Sequence, residues 1–289
     1  MASGKELRRR IQSVKNTQQI TKAMKMVSAA KLRRAQDAIV QARPYATAIQ
    51  KATRLAVANP YVREAHSFFQ IKPVKKVNVV LVTSDRGLCG GYNSNLCKRA
   101  EKLYREEAKG LEVLSFTCVG KRGHDFLRSR KVPIRKFYPD VQKSVSFAKA
   151  AVIADELIEA FTTGEFDEIR LIYAEFKSAL SQTIVVDSLL PVQGGDLGEE
   201  SNAAMAEFIF EPSQESVLND LLPRYLRTAV YRSLLEGAAS EHGARMAAMD
   251  SATRNAGEVI QKLKLLYNNV RQANITRELL EITAGAEAL

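Results

Sequence analysis

Residues 83–96 read TSDRGLCGGYNSNL and set three glycines, Gly87, Gly90 and Gly91, after a short apolar run and ahead of a helical stretch. In a doubly wound fold, backbone N–H groups and a helix N-terminus at that place can hold a phosphate. The spacing is not G-x-G-x-x-G, and no Gly-Lys-Ser/Thr follows. No acid stands out at the end of the next strand to hold a ribose. The alternative is a tight turn in which Asp85 and Arg86 have a structural or interface role. Cys89, Cys97 and Cys118 form no metal or redox spacing, and His66, His124 and His242 are scattered. No nucleophile, base and orienting acid can be nominated. The residues therefore predict reduced thiols, no catalytic group, no metal and no cofactor.

The second chemical feature is charge. Residues 1–54 hold 13 Lys or Arg against two acids, Glu6 and Asp37, so this segment carries the whole formal net charge of +11. The rest is balanced. Such an asymmetry calls for an acidic partner. Arg8, Arg9 and Arg10 with Lys15, Lys22, Lys25, Lys31, Arg33 and Arg34 could follow a nucleic-acid backbone. Only Tyr45 and Tyr61 lie nearby as stacking groups, which disfavours single strands. A solvated face and acidic protein loops are the other readings.

Three segments must position these groups. Residues 3 to about 57 place Leu7, Ile11, Val14, Thr21, Met24, Ser28, Leu32, Ala35, Ile39, Ala42, Ile49 and Ala52 mostly three or four apart, the helical period. Pro44 is expected to kink that helix. From Ser213 onward, His242, Met246, Met249, Thr253, Ala256, Ile260, Leu263, Tyr267, Val270 and Asn274 alternate steps of four and three, a left-handed coiled-coil repeat. Pro223 is expected to kink or interrupt its first turns. At 1.5 Å per residue the two helices reach about 80 and 108 Å, against roughly 30–40 Å for a domain of that size. Most of both is expected to project, paired antiparallel. The stripes are rich in Ala, Ser, Thr and Met, so the seam buries little area and predicts a sheathing partner.

Between them, 76–84, 111–120, 132–138, 167–176 and 182–191 read as strands, with helices between, one of them ending at Gly164. The fold class is α/β: a Rossmann-like, mostly parallel sheet with an antiparallel edge, plus a long two-helix coiled coil. The expected domains are 1–58, 75–210 and 211–289. No apolar run approaches the roughly 20 residues of a membrane span. The basic start lacks the apolar stretch and cleavage site of a secretory signal. The chain also ends apolar, with Ile275, Leu279, Leu280, Ile282 and Leu289.

Four stretches, IQSVKNTQQITKAMKMVSAAKLRRAQ, TSDRGLCGGYNSNL, SEHGARMAAMDSATRNAGEVI and YNNVRQANITRELLEITAGAEAL, closely resemble the gamma-subunit family of F-type, H+-transporting ATP synthases, in its bacterial form. The resemblance covers nearly the whole chain in order. It implies a non-catalytic central-stalk rotor that couples turning of the membrane ring to the cycling of the catalytic subunits. Its implied partners are the alpha and beta subunits of the catalytic ring, the epsilon subunit and the membrane c-ring, with no nucleic acid and no direct membrane insertion. The implied location is peripheral, on the cytoplasmic face of a bacterial plasma membrane. Lys22, Lys25, Arg33 and Arg34 would meet acidic loops of the catalytic subunits, with Met24 a coupling contact on that surface. Arg271, Gln272, Thr276 and Glu278 would touch the ring wall. Glu207, Phe208 and Phe210 would seat on the c-ring. The apolar end would be an axle tip in an apolar collar. The regulatory cysteine pair of chloroplast members has no counterpart, since all three cysteines precede its position. Two other functions fit the residues alone: a nucleotide-binding α/β enzyme with a coiled-coil arm, and a basic coiled-coil protein that binds nucleic acid.

Overall fold

In a computed structural model of the chain, the described residues are 4–57, 66–70, 72–179, 181–192, 211 and 213–287. The first helix, α1, spans Gly4–Ala56 and the last, α5, spans Gln214–Glu287. Neither Pro44 nor Pro223 ends its helix, so the expected interruption near Pro223 does not occur. A proline removes one N–H, a local loss of about 3 kcal/mol. After Pro223 that loss is offset by burial. Leu218, Leu222, Leu226, Val230 and Leu234, four apart on one stripe, are all 0–1% exposed. Each such side chain contributes about 1.5–3 kcal/mol.

The chain forms two compact units. One is Met1–Ala29 with Arg245–Leu289, and the other is Ala30–Ala244. The boundaries cut through both long helices rather than falling at the ends of the three segments. The expectation that most of both helices projects needs correction for the inner lengths. Residues 30–56 and 214–244 belong to the α/β unit, where the leucine stripe of α5 packs into the core beside the sheet.

That unit holds β1 (Lys76–Val82), α2 (Tyr92–Glu107), β2 (Val113–Val119), α3 (Lys121–Ser129), β3 (Ile134–Tyr138), α4 (Phe147–Thr162), β4 (Glu168–Phe176) and β5 (Gln182–Leu190). The sheet order is β3-β2-β1-β4-β5, parallel except for the β4–β5 hairpin. Alternation along β1 sorts the two faces. Val77, Val79 and Leu81 join Leu96, Ala100 and Leu103 of α2 and Leu127 of α3, while Val80 and Val82 join Ile153, Ala154 and Leu157 of α4 and the leucine stripe of α5. Asn78 is wholly buried in β1, yet it donates to Ser115 Oγ at 3.0 Å and accepts from Thr117 Oγ1 at 2.9 Å. These bonds satisfy its amide and fix the register of β1 on β2.

Gly164 stops α4 as its sequence position predicts. It takes φ +76°, its N–H donates to Phe161 O, and the N–H of Glu165 donates to Ala160 O, a complete Schellman motif. Gly120, between β2 and α3, has a stricter need. Its φ is +96°, and a Cβ there would lie 2.1 Å from the Thr83 carbonyl oxygen, a backbone atom that cannot swing aside. Gly120→Ala is expected to destabilise the chain by about 3 kcal/mol or more, read as a lowered urea midpoint.

Candidate functional site

The crossovers from β1 run outward through β2 and β3 on one side and reach β4 on the other, so the switch point lies between β1 and β4. A ligand of a doubly wound sheet binds outside the carboxyl ends of those strands. Here α5 occupies that place. Tyr92 Oη donates to the carbonyl of Gly237 at 3.1 Å, Ser240 Oγ donates to Ala174 O at 2.9 Å, and Glu236 Oε2 accepts from Phe176 N at 3.0 Å. Gly237 lets the helix approach the end of β1, since a Cβ would sit 3.1 Å from Val82 Cγ1. Gly243 does the same at the end of β4, where a Cβ would be 3.1 Å from Phe176 Cε2 and 3.2 Å from Ala179 Cα.

The glycine motif after β1 is bound up in the same way. Ser84 N donates to Asn93 Oδ1 at 3.1 Å, Asn93 Nδ2 donates to Ser84 Oγ at 2.7 Å, and Ser84 Oγ donates to Arg86 O at 2.6 Å. Asp85 serves a different helix. Its Oδ1 accepts from Lys121 N at 3.0 Å and from Asp140 N at 3.3 Å, so a carboxylate of this chain already sits at the α3 N-terminus. The motif is a structural turn. Titrating the isolated chain with ATP or ADP to millimolar concentration is expected to give no heat of binding. Micromolar binding would restore the enzyme reading.

In the other unit the helices pair antiparallel. Lys25 Nζ meets Asp250 Oδ1 at 2.5 Å, Thr21 Oγ1 meets Thr253 Oγ1 at 2.8 Å, Gln18 Nε2 donates to Thr253 O at 3.3 Å, and Arg8 lies 5.4 Å above the Tyr267 ring. Numbers rise along α1 as they fall along α5. Leu7, Thr21, Ser28, Met249, Ala256 and Ile260 are buried in this seam. The hydrogen bond from Lys25, with the charges of Lys25 and Arg254, holds the Asp250 carboxyl below its usual range. A depressed carboxylate contributes stability above its unfolded pKa and loses it as pH falls through the folded one. The seam is therefore expected to loosen in acid. Asp250→Asn should flatten that acid limb in a melting-versus-pH series, by a small amount that salt reduces further.

The cover ends at Val270. Every residue from Arg271 to Ala284 is exposed, including Ile275, Leu279, Leu280 and Ile282 at 48–68%. A contiguous bare apolar patch marks an interaction site. Arg271 and Glu278, seven apart, share a helical stripe with Ile275 and Ile282, and Gln272 and Thr276 lie one step round. On α1, Lys22, Arg33 and Arg34 are exposed and make no hydrogen bond or ion pair among the described residues. Met24 is half-buried. Lys25 differs from its neighbours, being held across the seam by Asp250. Glu207, Phe208 and Phe210 lie outside the described residues. Sequence reasoning missed the α5 stretch at the strand ends. Its signal was two glycines, Gly237 and Gly243, inside an unbroken helical pattern.

A family model described as ATP synthase matches residues 3–289. An ATP synthase gamma chain of Anaeromyxobacter sp. (strain K) is 47% identical over 291 residues, covering 100% of both chains. That of Geobacter metallireducens is 48% identical over 290 residues, covering 100% of this chain and 99% of its own. Among solved structures, the Tetrahymena thermophila mitochondrial ATP synthase central stalk and c-ring includes a chain with TM-score 0.63 and 29% identity, covering 81% of this chain and 99% of that one. The rotor of the Euglena gracilis mitochondrial enzyme shares the fold, with TM-score 0.67 at 21% identity over 94% of this chain and 98% of that one. With one family model spanning almost its whole length and full-length relatives near half identity, the chain belongs to the ATP synthase gamma chain family.

Proposed function

We propose that this chain is the central-stalk rotor subunit of an F-type ATP synthase and makes or breaks no bond itself. The observation that carries this beyond family membership is the bare apolar length of α5 after Val270. None of the described residues covers it there, and a partner's apolar wall would. Apolar contacts are non-directional. A helix end held by them can turn without breaking hydrogen bonds that would fix one angle.

In this reading the paired helices turn inside the ring of alpha and beta subunits. Lys22, Arg33 and Arg34, exposed and without carboxylate partners among the described residues, meet acidic loops of the catalytic subunits. Met24 is a coupling contact beside them. Lys25 acts chiefly by stiffening the seam and secondarily at that surface. Arg271, Gln272, Thr276 and Glu278 are polar catches on the ring wall. The α/β unit meets the epsilon subunit and the c-ring, with Glu207, Phe208 and Phe210 as the seat. The outer lengths of α1 and α5, residues 4–29 and 245–287, form the shaft, and the unit of residues 30–244 holds the part nearest the membrane, on its cytoplasmic face. No described helix is long and apolar enough to cross a membrane, which fits a peripheral subunit. The test is native purification of the chain from membranes. Recovery with alpha, beta, epsilon and c subunits is expected, and recovery alone or with nucleic acid would contradict the reading.

A further inference from the structure

The two edges of the sheet are built differently. At one edge, β3 is five residues long, and its charges are locked down. Arg135 reaches Glu165 at 2.8 Å and Glu156 at 3.0 Å, and Lys136 reaches Glu156 at 2.5 Å. Short length and side-chain charge are two ways in which proteins blunt a sheet edge against further pairing. The other edge, β5, is longer and carries less charge. It runs nine residues, QTIVVDSLL, with no Lys, Arg or Pro and one charge, Asp187. Its first seven residues are all at least partly exposed. Among the described residues no strand lies beyond it.

A cleft of about 650 Å³ follows this edge and is lined from both faces of the strand, by Val186 and Ser188 on one and Asp187 and Leu189 on the other. Its carboxylates are engaged. Glu168 pairs with Arg170 at 2.7 Å, and Asp187 accepts from Tyr173 Oη at 2.8 Å. Two of its cations are not. Arg99 of α2 and Arg232 of α5 line the cleft and form no hydrogen bond or ion pair among the described residues. They come from opposite sides of the sheet, because α2 packs on one face and α5 on the other.

We propose that β5 accepts, as a sixth strand, an extended acidic segment of a partner polypeptide. Backbone pairing along the open edge supplies affinity, and alternate side chains supply the choice of partner. Successive residues of a strand point to opposite faces. Two adjacent acids on the incoming strand would therefore reach one arginine each. The required pattern is two acids an odd number of positions apart in a β-prone segment. This inference does not depend on rotation or on the membrane ring.

The probe is a short Thr/Val peptide with two adjacent glutamates at its centre. Its partner probe carries two lysines instead. The readout is amide hydrogen exchange of residues 182–190 in the full chain. The glutamate peptide is expected to slow exchange there by roughly tenfold or more, while the lysine peptide does not. The double variant Arg99→Glu/Arg232→Glu should lose that protection and gain it from the lysine peptide, and Arg99→Lys/Arg232→Lys should keep most of it. Arg232 is exposed and Arg99 half-buried, and an unchanged melting temperature confirms the fold of each variant. The proposal is overturned if millimolar glutamate peptide leaves β5 exchange unchanged, if both peptides protect equally, or if β5 of the free chain already exchanges as slowly as β1.

Discussion

Reversing Lys22, Arg33 and Arg34 together to glutamate is expected to cut proton-driven ATP synthesis by about tenfold or more while the complex still assembles. The magnitude follows from contact type. An exposed ion pair is worth about 0.2–1 kcal/mol, and reversal replaces attraction with repulsion of similar size. Three such changes sum to about 1–6 kcal/mol at the contacts proposed to transmit force, and 1.4 kcal/mol is a factor of ten in rate. All three side chains are exposed, so the substitutions leave the core of the chain intact. Lys25 is left out deliberately. Its ammonium lies 2.5 Å from Asp250, and reversing it would open the seam and confuse stiffness with coupling. Synthesis in inverted vesicles, with assembly checked by native gel, is the measurement. Unchanged synthesis would remove these residues from the coupling surface.

The second large effect concerns the end of α5. Replacing Ile275, Leu279, Leu280 and Ile282 together with serine is expected to leave the isolated chain's melting temperature unchanged, because these side chains are already bare. The assembled complex should suffer. Seating four half-exposed aliphatic side chains in an apolar collar is worth several kcal/mol, at about 25 cal/mol per Å². The expected readout is a large fall in the yield and thermal lifetime of the complex. Removing only the last six residues should be tolerated much better than removing 271–278, which in the proposed function combine polar catches with apolar bearing contacts. Equal damage from both deletions would contradict this division of labour.

Much of the fold was legible because it is periodic. Short strand-like runs gave five strands, and the position of Gly164 gave the end of α4. The helical spacing that includes Leu7, Val14, Thr21 and Ser28 gave the inward face of α1, where Leu7, Thr21 and Ser28 are buried and Val14 half-buried. What stayed hidden depends on contacts distant in sequence. Lys25 looks like Lys22 in the sequence, and only a partner 225 positions away separates them. In the sequence, Gly87, Gly90 and Gly91 after β1 offer a phosphate cradle with the wrong spacing. Nothing local in TSDRGLCGGYNSNL says that Gly237 and Gly243 of a helix more than a hundred residues later will fill it. Likewise, the leucine stripe 218–234 resembles any amphipathic helix face until the sheet it covers is known. The end of α5 is visible as apolar sequence, but only the structure shows that the described residues leave it uncovered.

The central claim is that this chain turns as one part of a larger machine. Its native thiols leave room for a direct observation. Cys89, Cys97 and Cys118 are all buried, and burial pushes the Cys97 and Cys118 thiols up to about 12, so none competes for a surface label. A cysteine in place of the exposed Lys109 can carry a bead on the α/β unit, with the catalytic ring fixed to glass. On adding ATP the bead should turn in one direction through full revolutions. A bead that stays at a fixed angle while the same complexes hydrolyse ATP would show that the chain is part of the stator and that the rotor account is wrong.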